Sequence, residues 1–434
     1  MNIEQKTSPQ EFTTVAWAND SNIYEVNLRQ YTLEGTFNAF IKELPRLKDM
    51  GIEILWFMPI TPISKEKRLG TLGSYYACSS YAQTNREFGT VSDFKNLVAA
   101  AHELGFKVLI DWVANHTGWD HEWTITHPDF YRRNLEGQFF DAHGWNDVID
   151  LNYDNEALWK EMIAAMEFWL RECDIDGFRC DMAMLVPLDF WKAARRHLDG
   201  IKKLFWLAEC EDINYHEAFD ASYTWRWLHK MEAFYRKEIG IDGLDDVLGY
   251  YSTAFPPSAL RAFFTTNHDE NSHSGSEYER LGDSARAFAV LCCTWNAVPL
   301  IYSGQELPNK KRLKFFDKDF IDWTGNCLLH DFFKKLLTLR KNNPALKAGS
   351  ADVVTKRLHT DANHFIFAFL RSNTVTGNEV LVLLNLSDQD KPLVHINGQE
   401  LSGDYTNIFS NAVKSIGAEQ QFALGPWEYQ VYSK

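Results

Sequence analysis

The sequence has no uninterrupted apolar run that approaches the roughly 18 residues typical of a membrane-spanning helix. It also begins without a basic segment followed by an apolar stretch, which is the pattern of a secretory signal peptide. No phosphate-binding loop, dinucleotide-binding glycine motif or HExxH zinc motif is present. We therefore expect no membrane contact and no nucleotide cofactor.

Cysteine is scarce: the 434 residues include seven, at positions 78, 173, 180, 210, 292, 293 and 327. Their number is odd, they are scattered, and no pair has CxxC spacing, which argues against a disulfide framework or a zinc site. We expect reduced, mostly buried thiols and a cytoplasmic location. Cys180 and Cys210 each adjoin an acidic residue discussed below, and we interpret them as strand-packing residues.

Basic residues are fewer than acidic ones: the sequence has 44 Lys and Arg and 59 Asp and Glu, which gives a formal net charge of −15. A surface this acidic repels phosphate backbones, so the composition argues against a nucleic-acid partner. An uncharged substrate such as a sugar polymer is compatible with it. The sequence does not indicate an oligomeric state.

Four apolar or alternating segments end in polar residues that are capable of chemistry. They are 106–116 with Asp111, Asn115 and His116, 175–181 with Arg179 and Asp181, 203–209 with Glu209, and 261–269 with His268 and Asp269. A helix-like segment follows each one, so the repeating unit is strand, loop and helix. This order predicts parallel strands with crossover helices, in which the polar residues at the carboxyl ends of the strands form an active site.

Arg179 and Asp181 are two residues apart, so on a strand their side chains lie on the same face. A neighbouring guanidinium keeps a carboxylate ionised, which suits a nucleophile better than a proton donor. Such a pair by itself is more often a structural ion pair. The three other segments with polar ends favour the catalytic interpretation.

These segments resemble the four signature regions of the α-amylase superfamily, glycoside hydrolase family 13, in order and in spacing. The matching stretches are Asp111-Trp-Val-Ala-Asn-His116, Gly177-Phe-Arg-Cys-Asp181, Glu209 after its apolar strand, and Thr266-Asn-His-Asp269. A fifth stretch, Ile149-Asp-Leu-Asn152, resembles the short signature of that family's inserted B domain. The resemblance covers about the first three quarters of the chain.

The resemblance implies a (β/α)8 barrel formed by residues 1–112 and 151–344, interrupted by a short B domain at 113–150. The long B-domain segment has no clear period, which is typical of a functional insertion. Beyond it, residues 345–434 contain short strand patterns separated by turn residues, which predicts a C-terminal antiparallel β-sandwich. Within the barrel, apolar spacing predicts one helix from Thr36 to Met50, ended by Gly51.

Retaining glycoside cleavage requires two carboxyl groups about 5–5.5 Å apart, of which one is the nucleophile and the other donates and then accepts a proton. Asp181 and Glu209 end adjacent strands, which lie about 4.8 Å apart in a sheet. We assign Asp181 as the nucleophile because Arg179 favours its charged form. Glu209 lies in a less polar stretch that should raise its pKa, so we assign it as the acid and base.

The remaining site residues follow from the resemblance. It implies that Asp269 stabilises the transition state by binding ring hydroxyls of the sugar. It also implies that Arg179, His116, His268 and Tyr76 contact the substrate, with Tyr76 stacking on the sugar that is cleaved.

The resemblance further implies a calcium ion at the base of the B domain, held partly by Asn115 and Asp150, which offer hard oxygen ligands. The Lys-His pair usual after the nucleophile region is Met184-Leu185 here, which puts the usual contacts beyond the cleavage point in doubt. His116, His121 and His127 could suggest zinc, but without an HExxH motif we interpret them as solvated loop histidines.

The predicted function is therefore a retaining hydrolase of α-1,4-glucosidic bonds in starch-derived glucans or maltodextrins. An α-glucosidase or a transglycosylase on short α-glucosides would use the same three carboxylates. A catalytically inactive, glucan-binding relative is the alternative from another class. Endo or exo action, and α-1,4 against α-1,6 preference, stay open at this point.

Overall fold

A closed barrel of eight parallel strands forms the centre of the computed structural model, which describes residues 11–323, 326–396, 401–417 and 421–434. Its strands neighbour one another in the order β1-β10-β9-β8-β7-β6-β3-β2, while β4 and β5 form a separate antiparallel pair. The ten strands are β1 (Ile23–Val26), β2 (Ile54–Phe57), β3 (Lys107–Trp112), β4 (His116–Gly118), β5 (Val148–Asp150), β6 (Gly177–Cys180), β7 (Phe205–Ala208), β8 (Ala221–Tyr223), β9 (Leu260–Phe263) and β10 (Val298–Tyr302).

Helices surround the barrel and cover its outer face. Those described are α1 (Leu28–Tyr31), α2 (Phe37–Ile41), α3 (Leu44–Met50), α4 (Val91–Glu103), α5 (Trp123–Thr126), α6 (Glu156–Cys173), α7 (Leu188–Asp199), α8 (Trp225–Tyr235), α9 (Ile241–Ala254), α10 (Glu277–Leu281), α11 (Ala285–Thr294) and α12 (His330–Asn342). None of these helices is long and apolar enough to span a bilayer.

Helix α4 illustrates how local sequence places these helices. Thr90 and Asp93 form a capping box at its start, and each side chain bonds the other residue's backbone N–H. Its buried residues Phe94, Leu97, Val98 and Ala101 have the spacing of one helical face. That face packs against the barrel.

The helix predicted from Thr36 to Met50 is two helices, α2 and α3. The break falls just before Pro45, which is the second residue of α3. Proline has no N–H to bond the carbonyl four residues earlier, so it is tolerated in a first turn but interrupts a continuous helix.

The parallel register of β6 and β7 brings two acidic residues to the same rim. Arg179 is paired with Leu207 and Cys180 with Ala208, so Asp181 and Glu209 both lie one residue beyond the last pair. The backbone N–H of Glu209 donates to the carbonyl of Cys180 over 3.0 Å, which continues the ladder to the tip. Both strands are completely buried, as expected for a parallel sheet covered on both faces.

The residues between β3 and α6 form a small unit over one side of the barrel mouth. It contains the β4–β5 ribbon, in which His116 is paired with Asp150, together with α5 and an isolated bridge between Arg133 and Phe139. The segment from Asp141 to Asp147 connects these parts to β5 and approaches the mouth. The predicted bounds 113–150 for this unit stay a prediction.

The C-terminal part is a six-stranded antiparallel sheet with a two-stranded ribbon packed on it, which confirms the predicted β-sandwich. Leu381 and Leu383 from the sheet pack with Val394 and Phe422 from the ribbon in one apolar cluster. The strands are β11 (Val353–Leu358), β12 (Ile366–Asn373), β13 (Glu379–Asn385), β14 (Lys391–His395), β15 (Gly403–Asn407), β16 (Val413–Ile416), β17 (Gln421–Leu424) and β18 (Tyr429–Ser433).

Candidate active site

A cavity of about 400 Å³ opens at the carboxyl ends of the barrel strands. The three predicted catalytic carboxylates, Asp181, Glu209 and Asp269, lie together on its wall although they come from three separate strand ends. The other lining residues are Leu69, Ser74, Tyr76, His116, Gly144, Trp145, Asn146, Asp147, Val148, Met182, His273, Phe315 and Phe316.

Arg179 lies beneath the carboxylates and joins them. Its Nη1 atom is 3.0 Å from Asp181 Oδ1 and 2.9 Å from Asp111 Oδ1, and its Nη2 atom is 2.9 Å from Glu209 Oε2. One planar guanidinium therefore holds three carboxyl groups in a fixed arrangement. Glu209 Oε2 also accepts a hydrogen bond from the backbone N–H of Met182 over 2.9 Å.

A second chain of polar contacts runs from Asp111 to Asp269 on one side of the cavity. The Tyr76 hydroxyl lies 3.1 Å from Asp111 Oδ2 and 2.7 Å from His268 Nε2. The same His268 nitrogen is 3.2 Å from Asp269 Oδ2, and the opposite ring nitrogen, Nδ1, is 2.5 Å from Glu25 Oε1. Asp269 keeps 36% of its side chain exposed, so it reaches farther into the cavity than the other two carboxylates.

Burial raises the pKa of both Asp181 and Glu209, and the charge of Arg179 opposes that effect at each of them. Arg179 lies at similar distances from both acids, but among the two only Asp181 accepts a hydrogen bond from it, which agrees with the sequence argument that Arg179 favours the charged form of Asp181. Adjacent acidic groups raise each pKa further. These effects together favour sharing of protons among the neighbouring carboxyl groups, as in other closely spaced acidic pairs.

The two predicted substrate-binding histidines differ in charge. Burial lowers the pKa of His116 to about 4, so its imidazole is neutral at pH 7. Burial has the same effect on His268, but the carboxylates of Asp269 and Glu25 outweigh it and raise the pKa to about 9. His268 is therefore an imidazolium that donates from both ring nitrogens.

The structure separates the predicted substrate contacts into two groups. Tyr76 and His116 line the cavity, as predicted. Arg179 and His268 are only 0% and 1% exposed and lie behind the wall. In this structure they hold the carboxylates and the tyrosine that face the cavity, and their predicted role as substrate contacts stays a prediction.

Several residues of the site were not predicted. Glu25 is buried at the end of β1 and was missed because a lone acid in an apolar strand gives no signal until its partner His268 is known. Asp111 belongs to a matched segment but was not assigned a role. Trp145, Phe315 and Phe316 lie in irregular loops, where aromatic residues have no period to reveal which face the cavity.

Asp150, predicted to bind calcium, lies outside the cavity and close to two other possible ligands. Its ligand atoms and those of Asp141 and His143 are all within 4.8 Å of one another. Asp150 Oδ1 and Asp141 Oδ1 are buried and lack a hydrogen-bond partner. Burial and the Asp141 charge raise the pKa of Asp150. Two unpaired carboxyl oxygens fit a hard cation such as Ca²⁺, whereas the His143 imidazole is not a usual calcium ligand.

Asn115, the other predicted ligand, adjoins this cluster through its backbone, because its carbonyl accepts a hydrogen bond from Leu151 over 3.0 Å. Its side-chain amide lies 3.2 Å from His116 Nδ1. The three histidines considered for zinc are not in the cluster of possible ligands found among the described residues.

The interpretation of those histidines as solvated was wrong for two of them. His121 is fully buried between the rings of Tyr81 and Trp123, and its Nδ1 atom accepts from the Trp123 backbone over 3.1 Å. His116 is also buried, against Trp145. The aromatic side chains of this unit form a small core that the sequence did not reveal.

A family model described as the α-amylase catalytic domain matches residues 9–143 and 130–319 of the chain. The chain is 27% identical over 394 residues to Alpha-amylase MalA of Haloarcula japonica, a match covering 86% of this chain and 56% of the relative. It is 26% identical over 340 residues to Alpha-amylase 3 of Dictyoglomus thermophilum, a match covering 67% of this chain and 64% of the relative. The matches thus span about three fifths of the length of these two curated relatives.

Solved structures match over nearly their full length. The noncanonic maltogenic α-amylase AmyB of Thermotoga neapolitana superposes with a TM-score of 0.87 at 29% identity, covering 96% of this chain and 98% of that one. An α-amylase of Lactobacillus plantarum superposes with a TM-score of 0.86 at 27% identity, covering 96% and 99%.

Proposed function

Because this chain belongs to the α-amylase family, we propose that it is a retaining hydrolase of α-1,4-glucosidic bonds in starch-derived glucans or maltodextrins. The observation that carries the proposal is the arrangement of Asp181 and Glu209 on one guanidinium, with Asp269 on the same cavity wall. Two acids that share a guanidinium are near neighbours, which supports the short separation used for retention rather than the wider one used for inversion.

In the first step, the Asp181 carboxylate attacks the anomeric carbon of the bound sugar. The bond from that carbon to the bridging oxygen breaks, and Glu209 transfers its proton to this oxygen as the leaving sugar departs. The product is a glycosyl ester on Asp181. Glu209 is then a carboxylate, which suits it to act as a base next.

In the second step, Glu209 takes a proton from a water molecule as the water oxygen attacks the same anomeric carbon. The ester bond to Asp181 breaks, which restores both acids and releases a sugar of unchanged anomeric configuration. Asp269, the most exposed of the three carboxylates, binds hydroxyls of the sugar as positive charge develops on its ring. Tyr76 provides the aromatic face against which that sugar packs.

Arg179 acts on this chemistry through the carboxylates that it holds. Its charge offsets the burial of three carboxyl groups and keeps net negative charge available for attack at neutral pH. A bound sugar gives the two carboxyl groups different surroundings. Asp181 then faces the anomeric carbon, and Glu209 faces the leaving oxygen. We infer that this difference, rather than Arg179 alone, assigns the two roles.

A combined product assay tests the proposal. Incubation with amylose, maltotriose, pullulan and isomaltose, followed by chromatography, should yield products from the α-1,4-linked substrates. Proton NMR during the first minutes should detect the α-anomer of the new reducing end before mutarotation, as retention requires. Initial release of the β-anomer, or no release of sugar from any α-1,4-linked substrate, would refute it.

The same ester intermediate can be taken by a sugar hydroxyl instead of water, so an α-glucosidase or transglycosylase activity on short glucosides uses the same residues. Products longer than the starting maltotriose would identify transfer. An inactive, glucan-binding role is disfavoured because all three carboxylates are present and face one cavity.

We also propose that Ca²⁺ binds at Asp141 and Asp150, near Asn115. The supporting observation is that two buried carboxyl oxygens there have no hydrogen-bond partner. The ion would neutralise these acids and stabilise the segment that connects them, which carries Trp145 and Asp147 to the cavity wall.

We infer a reducing, cytoplasmic location from the cysteines. All seven are unpaired, and six of them are buried. Burial raises the pKa of Cys180 and Cys210 beside the catalytic acids, so both are protonated, unreactive packing residues as predicted.

A further inference from the structure

We propose that two loops close the glycone end of the cavity, so that the enzyme removes short units from the non-reducing ends of α-1,4-glucans. The loop pair consists of residues 69–73, which follow β2, and residues 315–318, which follow β10. This inference rests on the proposed function, because it assumes that Asp181 and Glu209 cleave a glycosidic bond.

Chemistry identifies the glycone side of the cavity. The sugar that becomes attached to the nucleophile is the one on the non-reducing side of the cleaved bond, while the sugar protonated by the acid leaves on the reducing side. Asp181 is connected through Arg179 and Asp111 to Tyr76, and Tyr76 to His268. We assign these residues to the glycone because Tyr76, in the proposed mechanism, packs against the sugar that is attached to Asp181. Glu209, which accepts a hydrogen bond from the Met182 backbone, marks the exit of the leaving group.

The aromatic residues of the loop pair lie directly against this glycone group. The ring of Phe315 is stacked parallel to those of Tyr76 and His268, with centroids 6.2 and 6.3 Å away. Phe316 packs edge-on against Phe315 at 5.0 Å and also lines the cavity, together with Leu69. A glycone that extends past Tyr76 meets these apolar side chains.

The loop pair is held together by hydrogen bonds from both sides. The backbone N–H and hydroxyl of Thr71 donate to Asp317 Oδ1 over 2.9 and 2.6 Å, and the Leu72 N–H donates to the Phe316 carbonyl over 2.9 Å. The loops approach so closely at Gly70 that an added Cβ would lie 2.5 Å from Phe316 Cβ.

A buried arginine secures the base of the loop pair. Arg29 is 1% exposed, and its Nη1 donates to the carbonyls of Gly73 and Phe315 over 3.0 and 3.4 Å. Gln30 adds bonds to the carbonyls of Lys314 and Asp317 over 2.8 and 2.7 Å. Since both residues belong to α1, the helix after β1 fixes the loops to the barrel.

The size of the cavity agrees with a short glycone. A volume of about 400 Å³ is near the lower end of the range for ligand sites, which is roughly 300–1,000 Å³. Trp145 and its neighbours in the segment before β5 also line this cavity. We expect a glycone of no more than about two glucosyl units.

The wild-type enzyme tests the inference with two heptaosides, p-nitrophenyl α-maltoheptaoside and its derivative with a 4,6-O-ethylidene group on the non-reducing sugar. Early products of the free heptaoside should be glucose or maltose with the matching shortened aryl glycoside. The blocked heptaoside should react at least about tenfold more slowly, because its acetal enlarges the sugar that must enter the closed end. Equal rates on both, with internal cleavage, would overturn the inference while leaving the proposed function intact.

If maltotriose and both heptaosides all stay intact, the proposed function itself is refuted. Two variants test the loops directly: Phe316→Ala removes the end wall, and Asp317→Ala removes both bonds to Thr71. Each should bring the rates on the two heptaosides closer together and lengthen the early products. Phe320→Ala is the matched control, because Phe320 is on the same connection, is 42% exposed and does not line the cavity; it should keep the wild-type ratio. An unchanged ratio in folded Phe316→Ala and Asp317→Ala proteins would count against the inference.

Discussion

The Nδ1 atom of His268 lies 2.5 Å from a carboxylate oxygen of Glu25, and this contact links the loop after β9 to the end of β1. Both side chains are almost completely buried, at 1% and 0% exposure. The opposite ring nitrogen contacts Tyr76 and Asp269, so the pair supports one side of the cavity from behind.

This pair predicts a particular pH dependence of stability. The pKa of His268 is raised to about 9 in the folded protein, above the ordinary value, which is near 6.5. Its contribution, at most about 3 kcal/mol, is therefore fully present below pH 6.5 and is lost as pH rises through 9. In Glu25→Gln, which removes one of the two raising charges, the unfolding temperature should be lower at pH 6.5 and approach the wild-type value near pH 9.5. Thermal unfolding followed by circular dichroism measures the unfolding temperature at each pH. The control Glu161→Gln, at an exposed helical site, should follow the wild type at every pH. A difference between Glu25→Gln and the wild type that does not change with pH would contradict the prediction.

Removing either catalytic carboxylate should abolish most activity and leave the fold intact. For Glu209→Gln we expect turnover of maltotriose to fall by about 10²–10⁴-fold, because the amide cannot donate a proton to the leaving oxygen. Asp181→Asn should lose at least as much, since no ester can form. Asp154→Asn and Glu161→Gln make the same chemical changes at exposed positions and should keep wild-type rates. Near-normal turnover by either site variant would exclude the assigned mechanism.

Arg179→Lys should strongly reduce activity and stability, although the substitution retains the positive charge. A lysine ammonium is a point charge and cannot bridge Asp111, Asp181 and Glu209 with a planar fork. We expect a loss of kcat of about 10²-fold from misplaced carboxylates, a shifted pH profile and a lower unfolding temperature.

Arg196→Lys provides the control for that substitution. Arg196 also pairs with an acid, Glu11, but the two side chains are 61% and 44% exposed, and such surface pairs contribute little. Its kinetics and melting should match the wild type. Equal effects of the two substitutions would show that the buried arrangement around Arg179 has no special role.

Calcium binding predicts a chelator effect that depends on Asp150. Treatment with EDTA should lower the unfolding temperature of the wild type, and added Ca²⁺ should restore it, because a ligand of the folded state stabilises that state. Asp150→Asn should be less stable without EDTA and insensitive to it. Glu136→Gln changes an exposed acid of the same unit and should retain the response. Titration with Tb³⁺ provides a second measurement, because the luminescence of this ion increases when it binds near aromatic side chains. If EDTA leaves the wild-type unfolding temperature unchanged and added Tb³⁺ gives no such increase, the calcium proposal is wrong.

Gly177→Ala should displace the strand that carries Arg179. A Cβ at this position would lie 2.0 Å from the Phe205 carbonyl oxygen on the neighbouring strand, where the backbone cannot yield cheaply. We expect a loss of stability of about 1–3 kcal/mol, as for other overpacked cores, together with reduced kcat. Gly249→Ala, at a site in α9 with nothing within 4 Å of the new Cβ, should instead stabilise by roughly 0.5–1 kcal/mol. Urea unfolding and maltotriose kinetics compare the two.

Much of the fold could be predicted because the barrel strands are buried on both faces and therefore form short apolar runs with polar ends. The C-terminal sandwich was equally apparent from closely spaced short strands. The break between α2 and α3 was missed, because apolar periodicity continues across Pro45 although the backbone hydrogen bonds do not. The burial of His121 was missed because Tyr81, one of the two rings that enclose it, comes from a distant part of the chain.

The sequence by itself determined which chemical groups are available and at which strand ends they occur: Asp181, Glu209 and Asp269, each after an apolar strand. Only the tertiary structure decided how they share partners. It placed Arg179 under two acids rather than one, charged His268 by bringing Glu25 beside it, and joined two loops some 240 residues apart into one wall, as in the bond from Thr71 to Asp317. Hydrogen bonds, desolvation and steric closure depend on distances in space, and a local sequence pattern contains no information about neighbours that the folded chain brings from elsewhere.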